Sequence, residues 1–141
     1  MRAVAEHFIT EEEYQQMEEE SHVKHEYYQG RVYAMAGATP AHNLIACNVT
    51  TAVGSRLRGQ SCWGAGSDQR VKVEATGVRT YPGLLIVCPP ERYDERDPNS
   101  LLNPRVLIEV LSPTTERYDR LEVPSGLLLL PEESVREADR F

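Results

Sequence analysis

The chain has 141 residues, 40% of them apolar and 26% charged, with a formal net charge of −7. That length suits one domain with its own core and is short for two. No apolar run approaches the roughly 20 residues of a membrane span. No apolar signal core follows the opening residues MRAVAEHF. The acid excess argues against a surface coated in positive charge for indiscriminate nucleic-acid binding, although a local basic groove stays open. The expectation is a cytoplasmic protein without membrane contact.

In chain order, Thr10 can cap a first helix, with Glu13 at the capping-box position and an end near Ser21. The acidic run TEEEYQQMEEE reads as a solvated helix face. The segment KHEYYQGRVYAMAG predicts a β-hairpin, with strands near 24–28 and 31–36 and a turn at Gln29-Gly30. A long helix follows. Thr39 is its cap and Pro40 its first residue, Ile45, Val49, Ala52 and Val53 repeat at helical spacing, and Gly59 is the stop.

SDQRVKVEA alternates, which predicts a strand with Val71 and Val73 inward and Arg70, Lys72 and Glu74 on a wet face. GLLIVC is apolar on both faces, as a central strand is. PPERYDERDPNS reads as a loop, and NPRVLIEVLSP as a strand. TTERYDRLEV can begin a helix, and residues 124–141 form a divergent tail with no identifiable partner strand. The order of helix, hairpin, helix and three strands predicts an α/β or α+β domain with one mixed central sheet over residues 1–123.

The three cysteines, Cys47, Cys62 and Cys88, form no metal-type pair, and no two of the four histidines have zinc-helix spacing. They read as buried free thiols. Glu109 carries the strongest chemical signal, because it lies inside an apolar strand, flanked on its own face by two leucines. A carboxylate buried there requires a cation, a donor or a proton. A functional role, a structural arginine partner and a wet strand end all satisfy that requirement. Glu26, Asp68 and His42, each taken alone, are as readily structural. Arg56, Arg58, Arg70 and Lys72 could line a groove or be ordinary surface charges.

Taken together, the blocks EEEYQQME, VKHEYYQGRVYAMAGATPAHNLIACNVTTAV, SDQRVKVE, TYPGLLIVC and NPRVLIEVLSPTTERYDR resemble the restriction-endonuclease family of the Uma-two type, in the PD-(D/E)XK nuclease superfamily. The resemblance covers roughly residues 10–120. It implies a restriction-endonuclease-like core, incomplete at the C-terminus, and Mg²⁺-dependent hydrolysis of DNA phosphodiesters. Two carboxylates on neighbouring strands suit this hard cation. The metal lowers the pKa of its bound water, and a lysine offsets charge in the transition state.

Carried over by position, the resemblance assigns catalytic roles to Glu109, Asp68 and Glu26, with Glu109 and Asp68 on the metal. Asp119 matches its YDR block. It implies DNA as partner; from the charge pattern itself, Arg70 and Lys72 are the candidates to bind it, and a homodimer is a separate expectation. Two positions depart. Gly83 stands where the family's principal metal-binding Asp is expected, and Val123 stands near its lysine. The family's last strands also lack a match in residues 121–141, as a truncation or a shifted reading frame would produce. The expected outcomes are impaired catalysis, a non-catalytic binding module, or a degenerate relative without activity.

Overall fold

The computed structural model describes residues 3–4, 7–35 and 37–111, and the backbone of Leu127–Pro131. Two helices, α1 (Glu11–Glu20) and α2 (Pro40–Leu57), accompany nine strands. These are β1 (His25–Tyr28), β2 (Arg31–Ala34), β3 (Trp63–Gly66), β4 (Arg70–Lys72), β5 (Arg79–Thr80), β6 (Leu84–Val87), β7 (Ser100–Leu101), β8 (Val106–Leu111) and β9 (Leu127–Pro131). This is a mixed α+β fold, as the sequence predicts.

The strands form two sheets rather than one central sheet, ordered β2-β1-β5-β4-β7 and β3-β6-β8-β9. Each sheet has a single parallel pair, β4 with β7 and β8 with β9. The chain passes between the sheets five times, from β2 to β3, β3 to β4, β5 to β6, β6 to β7 and β7 to β8. Strands β3, β5 and β7 escape the sequence pattern because they are short and rich in glycine or polar residues. β7 lies at the end of the PPERYDERDPNS segment read as a loop. The Leu127–Pro131 run, which suggests no partner in the sequence, pairs in parallel with β8.

Local chemistry explains the helices and the first hairpin. Thr10 and Glu13 close a reciprocal capping box on α1. Thr39 caps α2 by accepting from the His42 amide. Gln29 and Gly30 both take positive φ, which lets a two-residue turn follow the strand twist.

Three packed layers of apolar side chains hold these elements. Ile45 and Val49 of α2 meet Leu84, Ile108 and Val110 on one face of the four-stranded sheet. Leu85, Val87 and Leu107 on its other face meet Val71 and Leu101 of the five-stranded sheet. Ile9 and Tyr14 cover Tyr27 and Val32 on that sheet's outer face.

The predicted wet face is buried at Arg70 and partly covered at Lys72, while Glu74, just past β4, is exposed as expected. Arg70 is 6% exposed and donates to Asp97, Ser100 and the Tyr81 hydroxyl. Lys72 pairs with Asp94 and Glu11. Arg79 reaches Glu11 at 2.9 Å. The alternation of β4 was legible, but the sequence does not announce that α1 folds over its polar side. Part of the acidic run is therefore internal, since Glu11 and Glu18 turn toward this layer while Glu12 and Glu13 stay exposed.

The cysteine reading needs a second correction. The pairing of Trp63 with Val87 sets Cys62 opposite Cys88, and the two form a disulfide, while Cys47 is free and exposed. A separation of 26 residues conceals a contact that strand register creates. By loop-closure entropy, reducing this bridge costs on the order of 3 kcal/mol. Thermal melts with and without reductant are expected to differ by on the order of 10 °C. Equal midpoints would show that the bridge contributes nothing. Among the described residues no helix is long and apolar enough to cross a membrane.

Candidate active site

Glu109 lies on β8, whose residues alternate between two faces. Ile108 and Val110 point toward α2, so Glu109 points with Leu107 toward the five-stranded sheet. Gly83 precedes β6 and continues the face of Leu85 and Val87. Leu84 pairs with Ile108, so the register brings Gly83 opposite Glu109. The Ile86 carbonyl accepts from Arg105 on the β8 side, which makes Gly83 and Glu109 a pair without mutual backbone hydrogen bonds. Side chains approach most closely in such pairs. A Cβ added at Gly83 would lie 3.5 Å from Glu109 Oε2 and 3.3 Å from the Ile108 carbonyl oxygen.

Glu26 approaches from the other sheet. Tyr27 pairs with Arg79, so Glu26 stands opposite Thr80, and the Thr80 hydroxyl donates to Glu26 Oε1 at 2.6 Å. Tyr27 and Arg79 face α1, so Glu26 and Thr80 face the four-stranded sheet. Glu26, position 83 and Glu109 thus project into the layer between the sheets. Thr80 and Gly83 bracket the crossover that joins them.

Thr80 carries no motif signal of its own. Only its register opposite Glu26 reveals it. His42 is a similar case, since its Nε2 lies 2.9 Å from the Val110 carbonyl oxygen, next to Glu109. The bond ties the start of α2 to β8.

Asp68 lies elsewhere. Its side chain is 95% exposed in the turn after β3, and Lys24 Nζ contacts it at 2.9 Å. The Lys24 hydrogen bond holds its carboxyl below the usual range. It borders an open polar cleft of about 500 Å³ with Glu18, Arg70, Tyr81 and Tyr93, a cleft lined by neither Gly83 nor Glu109. Burial pushes the Tyr81 phenol there up to about 12, and its hydroxyl donates to Glu18. Arg70 and Lys72, the candidate nucleic-acid contacts, are both committed to internal carboxylates. Asp119 and Val123 lie outside the described residues, as does the helix expected after residue 113.

Among the described residues, no three His, Cys, Asp or Glu side chains stand close enough together to hold a metal ion. With Gly83 in place, the inter-sheet layer holds Glu26 and Glu109 and, among the described residues, no third carboxylate close enough to share a metal ion with them. The residues described therefore do not fit a Mg²⁺ ion as a complete donor set.

The described core is α+β, with two mixed sheets and acidic residues from both facing a strand crossover. The chain belongs to the Uma2 family, whose model carries the description "Putative restriction endonuclease" and matches residues 11–125. It is 36% identical over 112 residues to the uncharacterized protein slr1290 of Synechocystis, covering 79% of this chain and 58% of that protein. It is 25% identical to sll1609 of the same organism, over 79% of this chain and 63% of that one. The chain thus spans about three-fifths of the length of these relatives. A crystal structure from Anabaena variabilis, described as a putative nuclease belonging to DUF820, superposes with a TM-score of 0.60 at 18% identity, covering 79% of this chain and 68% of that one. At that identity the superposition speaks for the fold alone.

Proposed function

We propose that this chain is a Uma2-family relative of metal-dependent DNA endonucleases whose own catalysis is impaired at position 83. The observation that carries this reading is the placement of Gly83 directly across from Glu109, where an added Cβ would lie 3.5 Å from Glu109 Oε2. An aspartate there would put a second carboxylate beside Glu109, facing the same layer as Glu26. Glycine offers no ligand, and Val123 in place of a lysine removes a charge that phosphodiester cleavage uses. Each such loss costs on the order of a hundredfold or more in rate.

Glu109 and Glu26 are the residues we assign to the remaining site. Asp68, held by Lys24 and bordering a separate cleft, is the weaker candidate ligand. Mg²⁺ as the family's cofactor, DNA as substrate, a homodimer and a cytoplasmic location complete the proposal. In the reducing cytoplasm the Cys62–Cys88 pair would be held open as thiols.

The double variant Gly83→Asp, Val123→Lys tests the assignment. It is expected to gain Mg²⁺-dependent plasmid cleavage over the parent, and Glu109→Ala in the same background is expected to abolish the gain. If the double variant stays folded and gains nothing, the mapping of the site onto residues 83 and 109 is wrong. Salt-sensitive DNA binding without cleavage would instead mark a binding module.

A further inference from the structure

The strand ladder itself brings Cys62 and Cys88 together. The Ile86 carbonyl accepts from the Arg105 amide on the β8 side, so Leu85 and Val87 exchange backbone bonds with Ala65 and Trp63 on the β3 side. The pairs between these lack mutual bonds. Gly64 with Ile86 is one, and Cys62 with Cys88, a step beyond Trp63 and Val87, is the next. A ladder sets the Cα atoms of such a pair about 4.5 Å apart, and those of Cys62 and Cys88 are 4.1 Å apart. The two side chains are therefore neighbours by register, bonded or not.

A second tie spans the same two segments. Trp63 Nε1 donates to Glu91 Oε1 at 2.6 Å, and the Trp63 ring packs on the cluster of Val71, Leu85, Val87, Leu101 and Leu107. Neither the ladder nor the indole bond uses a sulfur atom, so both remain when the bridge is open. The bridge is also within reach of solvent. Cys62 and Cys88 are each partly exposed, whereas Leu85 and Val87 beside them are fully enclosed. A bond sealed in a core meets no reductant, but this one is open to a small thiolate.

We propose that Cys62 and Cys88 form a redox-active pair, a modification site that exchanges with a small thiol–disulfide couple of the glutathione class while the chain stays folded. This goes beyond the function proposed above and does not rest on it. A small thiolate attacks one sulfur of the bridge, forming a mixed disulfide and releasing the other cysteine as a thiolate. A second small thiolate attacks the small-molecule sulfur of that mixed disulfide and releases the remaining cysteine. Two small thiols are oxidised to one disulfide, the bridge is reduced to two thiols, and the protons of the small thiols pass to the cysteines. The reverse sequence closes the bridge, which the preset register favours over a lasting mixed disulfide. What the exchange alters is the hold of β6 on β3, the strand at the end of its sheet order. The closed bridge adds a covalent restraint at the Trp63 end of β3, and the open pair leaves only the ladder and the indole bond.

The test equilibrates the full chain, carrying Cys47→Ser to remove the exposed free thiol, in mixtures of reduced and oxidised glutathione. Alkylation followed by mass measurement counts the thiols. The single tryptophan, Trp63, reports the bridge by its emission, since a disulfide quenches an adjacent indole. The bridge is expected to be closed in excess oxidised glutathione and open in excess reduced glutathione, reversibly and with unchanged circular dichroism. Trp63 emission is expected to rise on opening, and amide exchange at Trp63 and Ala65 to speed up by about tenfold or more. Cys62→Ser in the same background is expected to show the faster exchange in both mixtures. If Cys47→Ser fails to fold, the parent chain replaces it, with Cys47 alkylated while the bridge is closed. A bridge that reduced glutathione opens only in denaturant is purely structural and overturns the proposal. So does a chain that loses its circular dichroism on reduction, or one whose thiols end as mixed disulfides. Equal exchange at Trp63 and Ala65 in both mixtures overturns the hold on β3.

Discussion

Gly83→Asp is expected to give a chain that is less stable than its parent in EDTA and that Mg²⁺ stabilises. The new Cβ lies 3.3 Å from the Ile108 carbonyl oxygen, so the strand must give slightly to admit it. The new carboxylate then stands beside Glu109 on the adjacent strand. Two like charges about 4 Å apart repel by roughly 1 kcal/mol in water and about 4 kcal/mol near a protein surface. A divalent cation reverses the sign of that interaction. At a hundred times its dissociation constant it returns about 2.7 kcal/mol. Thermal melts in EDTA and in Mg²⁺ read the effect directly. The parent, with glycine at 83, is expected to show the same midpoint in both. A Gly83→Asp midpoint that does not respond to Mg²⁺ would mean that the two side chains do not share a site.

Asp97→Ala is expected to produce the largest loss of stability of any single change in the described core. Asp97 is 1% exposed and contacts Arg70 at 2.6 Å and Arg79 at 3.8 Å, with those side chains 6% and 3% exposed. Removing it leaves two buried guanidinium groups without their shared anion. Breaking such a pair from one side costs about 3–5 kcal/mol, a large share of the roughly 5–15 kcal/mol that holds a domain together. The consequence reaches the site. Arg70 donates to the Tyr81 hydroxyl at 3.2 Å, Tyr81 donates to Glu18 at 2.9 Å, and Tyr81 opens the crossover that ends at Gly83. Urea titration is the check, and a loss below about 1 kcal/mol would show that the ionic layer is not what fastens the sheet to α1.

The contrast between β8 and β4 shows what the sequence discloses. On β8, the apolar run around Glu109 predicts a buried strand with one misplaced carboxylate, and the strand is there with Glu109 facing the inter-sheet layer. Periodicity identifies the face, because both faces of β8 are packed. On β4, the same alternation predicts a wet face for Arg70 and Lys72. The pattern was right and the environment was not, since alternation distinguishes two faces but cannot say what covers the polar one. The acids that cover it come from α1 and from residues 94–97, far away in sequence. Cys62 and Cys88 are hidden for the same reason, as only the β3–β6 register brings them together.

The candidate site divides along the same line. Glu109 stood out because a carboxylate inside an apolar strand breaks a local rule, whereas Gly83 looks locally like an ordinary turn residue and gains meaning only from the family resemblance. Their adjacency is a matter of register, and it holds. Thr80 was invisible, because a threonine in a two-residue strand is unremarkable until its partner across the ladder is known to be Glu26. Asp68 had a motif position, but the turn that carries it directs it to Lys24 and to solvent. Residues 112–126 and 132–141 lie outside the described part, and with them Asp119 and Val123.

Incubating the unmodified chain with supercoiled plasmid in Mg²⁺ and in Mn²⁺, beside Glu109→Ala, tests the proposed loss of catalysis most directly. With glycine at 83, the parent is expected to nick plasmid no faster than Glu109→Ala in either metal. Cleavage by the parent that requires the metal and disappears in Glu109→Ala would contradict it, because the site would then work without a side chain at position 83.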